Sequence, residues 1–236
     1  MAIAFVVPCY NEAKRTDFTA FKTWQGENPD VEFFFVNDGS TDDTLRVLNS
    51  HFDNEHVIDL SQNQGKAEAV RQAMAKVCEE GRHSHIGFLD ADLATPLTEI
   101  KFFKEQVDKG KLVIMGSRWL HLGANIKRKW YRHYLGRVFA TAASILLNLP
   151  VYDTQCGAKL FGLKELKAVV GEPFISKWIF DVELFMRLQK SGVPISTWYE
   201  IPLENWEDVA GSRLKLTDFL KAPLEMLALY KKYGRS

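Results

Sequence analysis

The sequence predicts an α/β fold in which a mostly parallel central sheet is flanked by helices. Short apolar runs alternate with stretches of helical periodicity through the first half of the chain. The apolar runs are continuous, as suits parallel strands covered on both faces. Polar clusters follow several of them directly, and ligands of open α/β sheets bind beyond the carboxyl ends of the strands.

Five strands are expected, over Ile3–Val7, Val31–Val36, His56–Leu60, His85–Leu89 and Leu112–Gly116. Helices fit between them. Ser40 and Thr41 read as N-caps, with Asp43 in the first turn and Leu45, Val47, Leu48 and Phe52 behind. After Gly65, Val70, Ala73, Met74 and Val77 recur at helical spacing, and Gly81 suits a C-cap. Thr95-Pro96 reads as a cap plus first-turn proline, followed by Leu97, Ile100, Phe103 and Val107. The β-α rhythm is lost after Gly116, where Trp and basic residues become more frequent, and a final helix is expected over Leu214–Lys232.

At 236 residues, 46% hydrophobic and 25% charged, the chain has ordinary globular composition and can bury one sizeable core. Thirty basic and thirty acidic residues cancel, which argues against nucleic acid as a partner. The charges are unevenly spread. From Gly116 to Tyr152 there is no Asp or Glu, yet Arg118, Lys127, Arg128, Lys129, Arg132 and Arg137 lie there. Such a patch can meet phosphates or an anionic membrane surface, or form a solvated helix face. Cys9, Cys78 and Cys156 are odd in number and widely spaced, which suggests small core residues in a reducing compartment. His83 and His85 lack the further ligands of a structural zinc site. The first apolar run has no basic segment before it and reads as a strand, not a signal peptide. No apolar run reaches the roughly 18 residues of a membrane span.

The tripeptide Asp90-Ala91-Asp92 ends the fourth predicted strand. Two carboxylates flanking one small residue can share a divalent cation, which can neutralise a diphosphate leaving group. Alone, this pattern is common in loops. Its companions are Pro8-Cys9-Tyr10-Asn11-Glu12, Asn37-Asp38-Gly39-Ser40 and Asn63-Gln64-Gly65-Lys66, each after a strand. No G-x-G-x-x-G follows the first strand and no P-loop signature exists, which argues against dinucleotide oxidoreductases and P-loop NTPases.

Together these segments resemble the successive signatures of family-2 glycosyltransferases with the GT-A fold. Gly116-Ser117-Arg118, Asp153-Thr154-Gln155-Cys156-Gly157-Ala158-Lys159-Leu160-Phe161 and Trp178-Ile179-Phe180-Asp181-Val182-Glu183-Leu184 resemble the dolichyl-phosphate β-glucosyltransferase branch and its bacterial polyprenyl-phosphate relatives. The resemblance runs from Ile3 to Arg213. It implies one domain over residues 1–236, with a nucleotide-sugar-binding half at 1–117 and an acceptor half at 118–236. It also implies a nucleotide-sugar donor, a divalent metal, inversion at the anomeric carbon and a lipid-phosphate acceptor.

Carried over by residue, Pro8, Tyr10 and Glu12 would border base and ribose, and Asp38 would bond the uracil edge or ribose. Asn37 stands where Asp is more usual; lacking charge, it does not suit a metal ligand. Its segment also reads as a turn with a helix cap. Lys66, near a helix N-terminus, would face phosphate, or is simply an exposed first-turn lysine. Ala91 would sit within the nucleotide-sugar site. Asp92 would ligate Mg2+ or Mn2+, with Asp90 touching ribose or metal through water. Asp92 and Asp181 are the catalytic candidates. Asp181 would be a general base for a hydroxyl acceptor, or a positioning group if the acceptor is an ionised phosphate. Asp181 and Glu183 also suit an ordinary helix N-terminus.

Asp153 and Gln155 would contact the sugar or stabilise a turn. Arg118, Arg128, Arg132 and Arg137 would bind the acceptor phosphate. Tyr131, Tyr134, Leu135 and Val138 form one helical stripe, which suits either a membrane-interface helix or a core-facing one. Trp206 and Gly211-Ser212-Arg213 resemble a loop that closes over the site. The expected activity is metal-dependent, inverting transfer of a hexose, glucose by the resemblance, from UDP-glucose to polyprenyl or dolichyl phosphate. The alternatives are a saccharide hydroxyl acceptor in surface-polysaccharide assembly, or a nucleotide-sugar-binding module without turnover. The expected location is cytoplasmic, peripheral at the inner face of the cell membrane, attached directly or through a membrane-anchoring partner protein.

Overall fold

The computed structural model describes residues 2–209 and 216–234, with the backbone alone for 216–220. The strands are β1 (Ile3–Cys9), β2 (Val31–Asp38), β3 (Val57–Leu60), β4 (His85–Leu89), β5 (Val113–Ser117), β6 (Asn125–Lys127), β7 (Ala158–Gly162), β8 (Trp198–Pro202) and β9 (Asn205–Glu207). The helices are α1 (Phe18–Glu27), α2 (Thr44–His51), α3 (Lys66–Glu80), α4 (Ile100–Asp108), α5 (Trp130–Leu147), α6 (Leu163–Lys167), α7 (Phe180–Lys190) and α8 (Leu216–Tyr233). Seven strands make one sheet in the order β3-β2-β1-β4-β7-β5-β8, and β6 pairs with β9 in a second. All pairings are parallel except those of β7, which runs against β4 and β5. The reversal brings the start of β7 beside the carboxyl ends of β4 and β5, with Ala158 opposite Leu89.

The sheet is apolar on both faces because both are covered. In β2, Phe34 and Val36 point into one layer with α3 and α7, where Val70, Met74, Leu184 and Phe185 are buried. Phe33 and Phe35 point into the other, against Phe18 and Phe21 of α1. There the rings meet edge to face, Phe21 to Phe33 at 5.0 Å and 86° and Phe18 to Phe35 at 5.7 Å and 78°. Burying each such ring stabilises the fold by roughly 1.5–3 kcal/mol. Cys9, Cys78 and Cys156 are free and buried, as expected.

Two helix starts differ from expectation. The second helix begins at Thr44, whose N–H donates to Asp42 Oδ1 at 2.9 Å. Ser40 and Thr41 instead serve the loop after β1: the Asn11 N–H donates to Ser40 Oγ at 3.0 Å, and Asn11 Nδ2 to Thr41 Oγ1 at 3.2 Å. Pro96 keeps an extended backbone, and a 3-10 turn over Leu97–Glu99 precedes α4. The Gly81 C-cap stands, with φ +69°.

The stripe Tyr131, Tyr134, Leu135 and Val138 on helix α5 is exposed and does not face the core, which a different set of side chains on the same helix meets. Phe139, Ala140, Ala143 and Leu147 are buried. Trp130, Tyr134 and Val138 face outward, 75%, 65% and 71% exposed, with Tyr131 and Leu135 beside them. Leu224 and Leu227 of α8 are also exposed. Among the described residues, no helix is long and apolar enough to cross a membrane.

Candidate active site

The carboxyl edge of the sheet carries a cavity of about 270 Å3. Asp90 and Asp92 border it from the turn after β4, Gln155 and Gly157 from the loop before β7, and Asp181 from the first turn of α7. Lys66, the first residue of α3, reaches in and pairs with Asp90 Oδ1. Burial opposes the Lys66 charge, but Asp90, Asp181 and Asp92 outweigh it and hold its pKa above the ordinary value. Gly157 lies hard against the Asp90 carboxylate; a Cβ there would sit 2.0 Å from Oδ2. The Asp90 N–H donates to the Gly157 carbonyl at 2.9 Å.

Asp92 accepts from the Ala94 N–H at 3.1 Å. Burial, and then the charge of Asp90, push its pKa up. A carboxylate held against both burial and a neighbouring like charge is part of a donor set that a hard divalent cation would relieve. Among the described residues, no group of three or more His, Cys, Asp or Glu could hold a metal. Such an ion would therefore draw its other ligands from a bound phosphate or water.

Asp181 is buried, with Oδ1 2.6 Å from the Lys159 ammonium and Oδ2 accepting from Gln155 Nε2 at 3.4 Å. Asp153, Arg118 and Arg132 also line the cavity, but their charges are already paired. The Asp153 carboxylate takes Arg118 Nε at 2.6 Å, Arg118 Nη2 at 2.8 Å and the Arg118 N–H at 3.1 Å. Burial opposes its ionisation, yet Arg118 prevails and holds its pKa at about 2. Arg132 pairs with Asp208 at 2.7 Å. Arg137 lies over the Tyr152 ring at 3.5 Å and does not line the cavity.

Arg128 differs from these neighbours. It lines the cavity, and among the described residues no carboxylate lies within ion-pair distance of it. Burial and the like charge of Arg118 pull its pKa down to about 10, which still leaves it charged at neutral pH. Gly136, nearly two turns into α5, makes room for it: a Cβ there would come 2.8 Å from Arg128 Nη2.

Pro8, Tyr10, Glu12, Asn37, Asp38 and Ala91 are not in the cavity's lining. Asp38 is buried and accepts from the Gln64 and Gly65 N–H groups at 2.7 and 3.0 Å, shaping the loop that presents Lys66. Asn37 Nδ2 donates to Asp59 Oδ1 at 2.7 Å. Pro8 is half-buried in β1, Tyr10 follows it, and Glu12 pairs with Arg15 at 3.0 Å. Ala91 packs into the core layer with Phe5 and Phe33. Trp206 lines the cavity; Gly211-Ser212-Arg213 lie outside the described residues. Sequence reasoning assigned no role to Lys159, Asp208 or Trp178, though Lys159 and Trp178 stand inside quoted motifs.

Comparison with known proteins bears on the family and the fold. Residues 4–166 match the model of Glycosyl transferase family 2. The dolichyl-phosphate beta-glucosyltransferase of Saccharomyces cerevisiae is 30% identical over 259 residues, covering 98% of this chain and 75% of the yeast protein. The human protein of the same name is 30% identical, covering 90% and 69%. Among solved structures, glucosyl-3-phosphoglycerate synthase from Mycobacterium tuberculosis, in complex with Mn2+, uridine diphosphate and glucosyl-3-phosphoglycerate, superposes with a TM-score of 0.70. It is 17% identical, covering 100% of this chain and 81% of the other. The shared fold is thus the GT-A fold expected from the sequence.

Proposed function

The chain belongs to glycosyl transferase family 2, and on that premise we propose that it moves glucose from UDP-glucose to a polyprenyl or dolichyl phosphate. The observation that carries the acceptor is Arg128, a cavity guanidinium with no carboxylate partner among the described residues, beside two arginines already neutralised. A phosphate supplies the charge it lacks. The named activity of the yeast and human relatives supports the same acceptor.

In this reading residues 1–117 bind the nucleotide-sugar, with Pro8, Tyr10, Glu12, Asp38 and Ala91 forming or shaping its nucleoside site, and residues 118–236 bind the acceptor. Lys66 and the N-terminus of α3 meet the diphosphate. Asp92, with Asp90, would hold Mg2+ or Mn2+, whose chemistry there is to offset charge on the departing diphosphate. An acceptor phosphate oxygen forms the bond to the anomeric carbon as the bond from that carbon to the diphosphate breaks. The electron pair leaves with the diphosphate, and configuration inverts. A lipid phosphate is already ionised at neutral pH, so Asp181 orients the sugar instead of removing a proton, and Gln155 assists it. Arg118 and Asp153 brace the loop before β7, while Arg132 and Arg137 keep the start of α5 in place.

Radiolabelled UDP-glucose with undecaprenyl phosphate should yield an organic-extractable glucolipid. Arg128→Ala should raise the acceptor KM roughly 10- to 100-fold, the loss of one charged hydrogen-bonding partner, with donor binding retained. Unchanged acceptor kinetics would instead favour a saccharide hydroxyl acceptor, with Asp181 as its general base.

The outer stripe of α5 provides membrane contact in this reading. Its exposed Trp130, Tyr134 and Val138 follow Lys129 in sequence, a pairing suited to an anionic interface. The protein then works from the cytoplasmic face, held peripherally with or without an anchoring partner. Sedimentation with vesicles containing anionic lipid should fall about tenfold in a Trp130→Ser/Val138→Ser variant and weaken with salt. Equal sedimentation of both proteins would remove this contact.

A further inference from the structure

Beneath the cavity lies a cation that the transfer reading does not use. Lys159 stands in the middle of β7 and is fully buried. Its ammonium forms an ion pair with Asp181 Oδ1 at 2.6 Å and donates its hydrogen bond to the Cys156 carbonyl. The rings of Phe88 and Phe185 face it, with centroids 5.0 and 5.9 Å away. Lys159 is shut off from the cavity, which Gln155, Cys156 and Asp181 line. It pairs with Phe88 of β4 and Met115 of β5, so both neighbouring strands fix its direction.

Stability alone is a weak reason for a lysine here. Desolvating the ammonium and the carboxylate together is unfavourable, and apolar side chains of similar size often replace a buried ion pair without loss. The geometry supplies a better reason. With Oδ1 held by the ammonium, the Asp181 carboxylate cannot rotate freely, and Oδ2 is the oxygen left beside Gln155.

We propose that Lys159 is a positioning residue that locks Asp181 so that its Oδ2 alone meets the transferred sugar. This rests on the reading of Asp181 as a group that touches substrate. The pairing also solves an electrostatic problem. The acceptor is an anion, and a lone carboxylate in the same cavity would repel it. Lys159 turns that carboxylate into one end of a neutral pair, an oriented dipole with its negative end toward the cavity. Such a dipole stabilises an anomeric carbon that gains positive character as its bond to the diphosphate breaks.

The test is a double-mutant cycle on the full chain, using Lys159→Met, Asp181→Asn and the double variant. Initial rates are read with UDP-glucose and undecaprenyl phosphate, and folding is followed by thermal melting. Lys159→Met should lower kcat about 100-fold with the donor KM little changed, the signature of a misplaced group. Asp181→Asn should cost at least as much. The double variant should be no slower than Asp181→Asn within about twofold, because Lys159 acts through Asp181.

Lys159→Met strands a buried carboxylate and risks unfolding, whereas the double variant strands none. A double variant whose loss multiplies the two single losses, or which does not fold, overturns the inference, since Lys159 then serves something other than Asp181. An Asp181→Asn variant at the wild-type rate has a different meaning. It removes the substrate-touching role of Asp181 itself, and the inference goes with it.

Discussion

Asp92→Asn should lower transfer by about 100- to 1,000-fold, the range for removing one preorganised charge-stabilising group, while leaving the protein at least as stable as the wild type. The two effects share one cause. Burial and Asp90 already push the Asp92 pKa up, so the ionised side chain is held against an unfavourable local field. An amide keeps the oxygen that accepts from the Ala94 N–H at 3.1 Å and removes the repulsion. It cannot supply the negative charge that a divalent cation requires. Melting curves and initial rates at saturating Mn2+ check both halves together. A variant transferring at the wild-type rate would detach this turn from the chemistry.

Gly157→Ala should cost nearly as much, about 100-fold, through displacement and not through charge. A methyl group there would lie 2.0 Å from Asp90 Oδ2 and 2.3 Å from its Cγ. The carboxylate must swing away, or the hydrogen bond from the Asp90 N–H to the Gly157 carbonyl must stretch. Either change shifts a donor-binding group, so the donor KM should rise along with the fall in kcat. Gly26 in α1 makes a fair control, since a Cβ there meets nothing within 4 Å and the position is remote from the cavity. Full activity in Gly157→Ala would show that Asp90 tolerates the shift.

The first half of the fold was legible because its strands are long apolar runs. Ile3–Cys9, Val31–Asp38 and His85–Leu89 all fall where continuous hydrophobicity put them, within a residue or two at the ends. The strands after Gly116 were not, for physical reasons. The run Ala158–Gly162 contains Lys159, which local pattern reads as solvent-facing, although its charge is met by a carboxylate from α7. In β8, Glu200 breaks the run while its carboxylate turns back to accept from the Tyr152 and Asp153 N–H groups. The arginines illustrate the same limit. Four of them read alike in sequence, yet Arg118 meets a carboxylate 35 residues away and Arg132 one 76 residues away. Only the folded chain separates Arg128 from the neutralised Arg118 and Arg132.

The reversed course of β7 also bears on how such a protein can diversify. The chain leaves the sheet after Ser117 and re-enters at Ala158, on the strand to which β5 is itself hydrogen bonded. Departure and return share one rigid seam. Variation in the stretch between, whose helix α5 packs Phe139, Ala143 and Leu147 into the core, is therefore confined to positions that leave that packing and the Arg118–Asp153 pair intact.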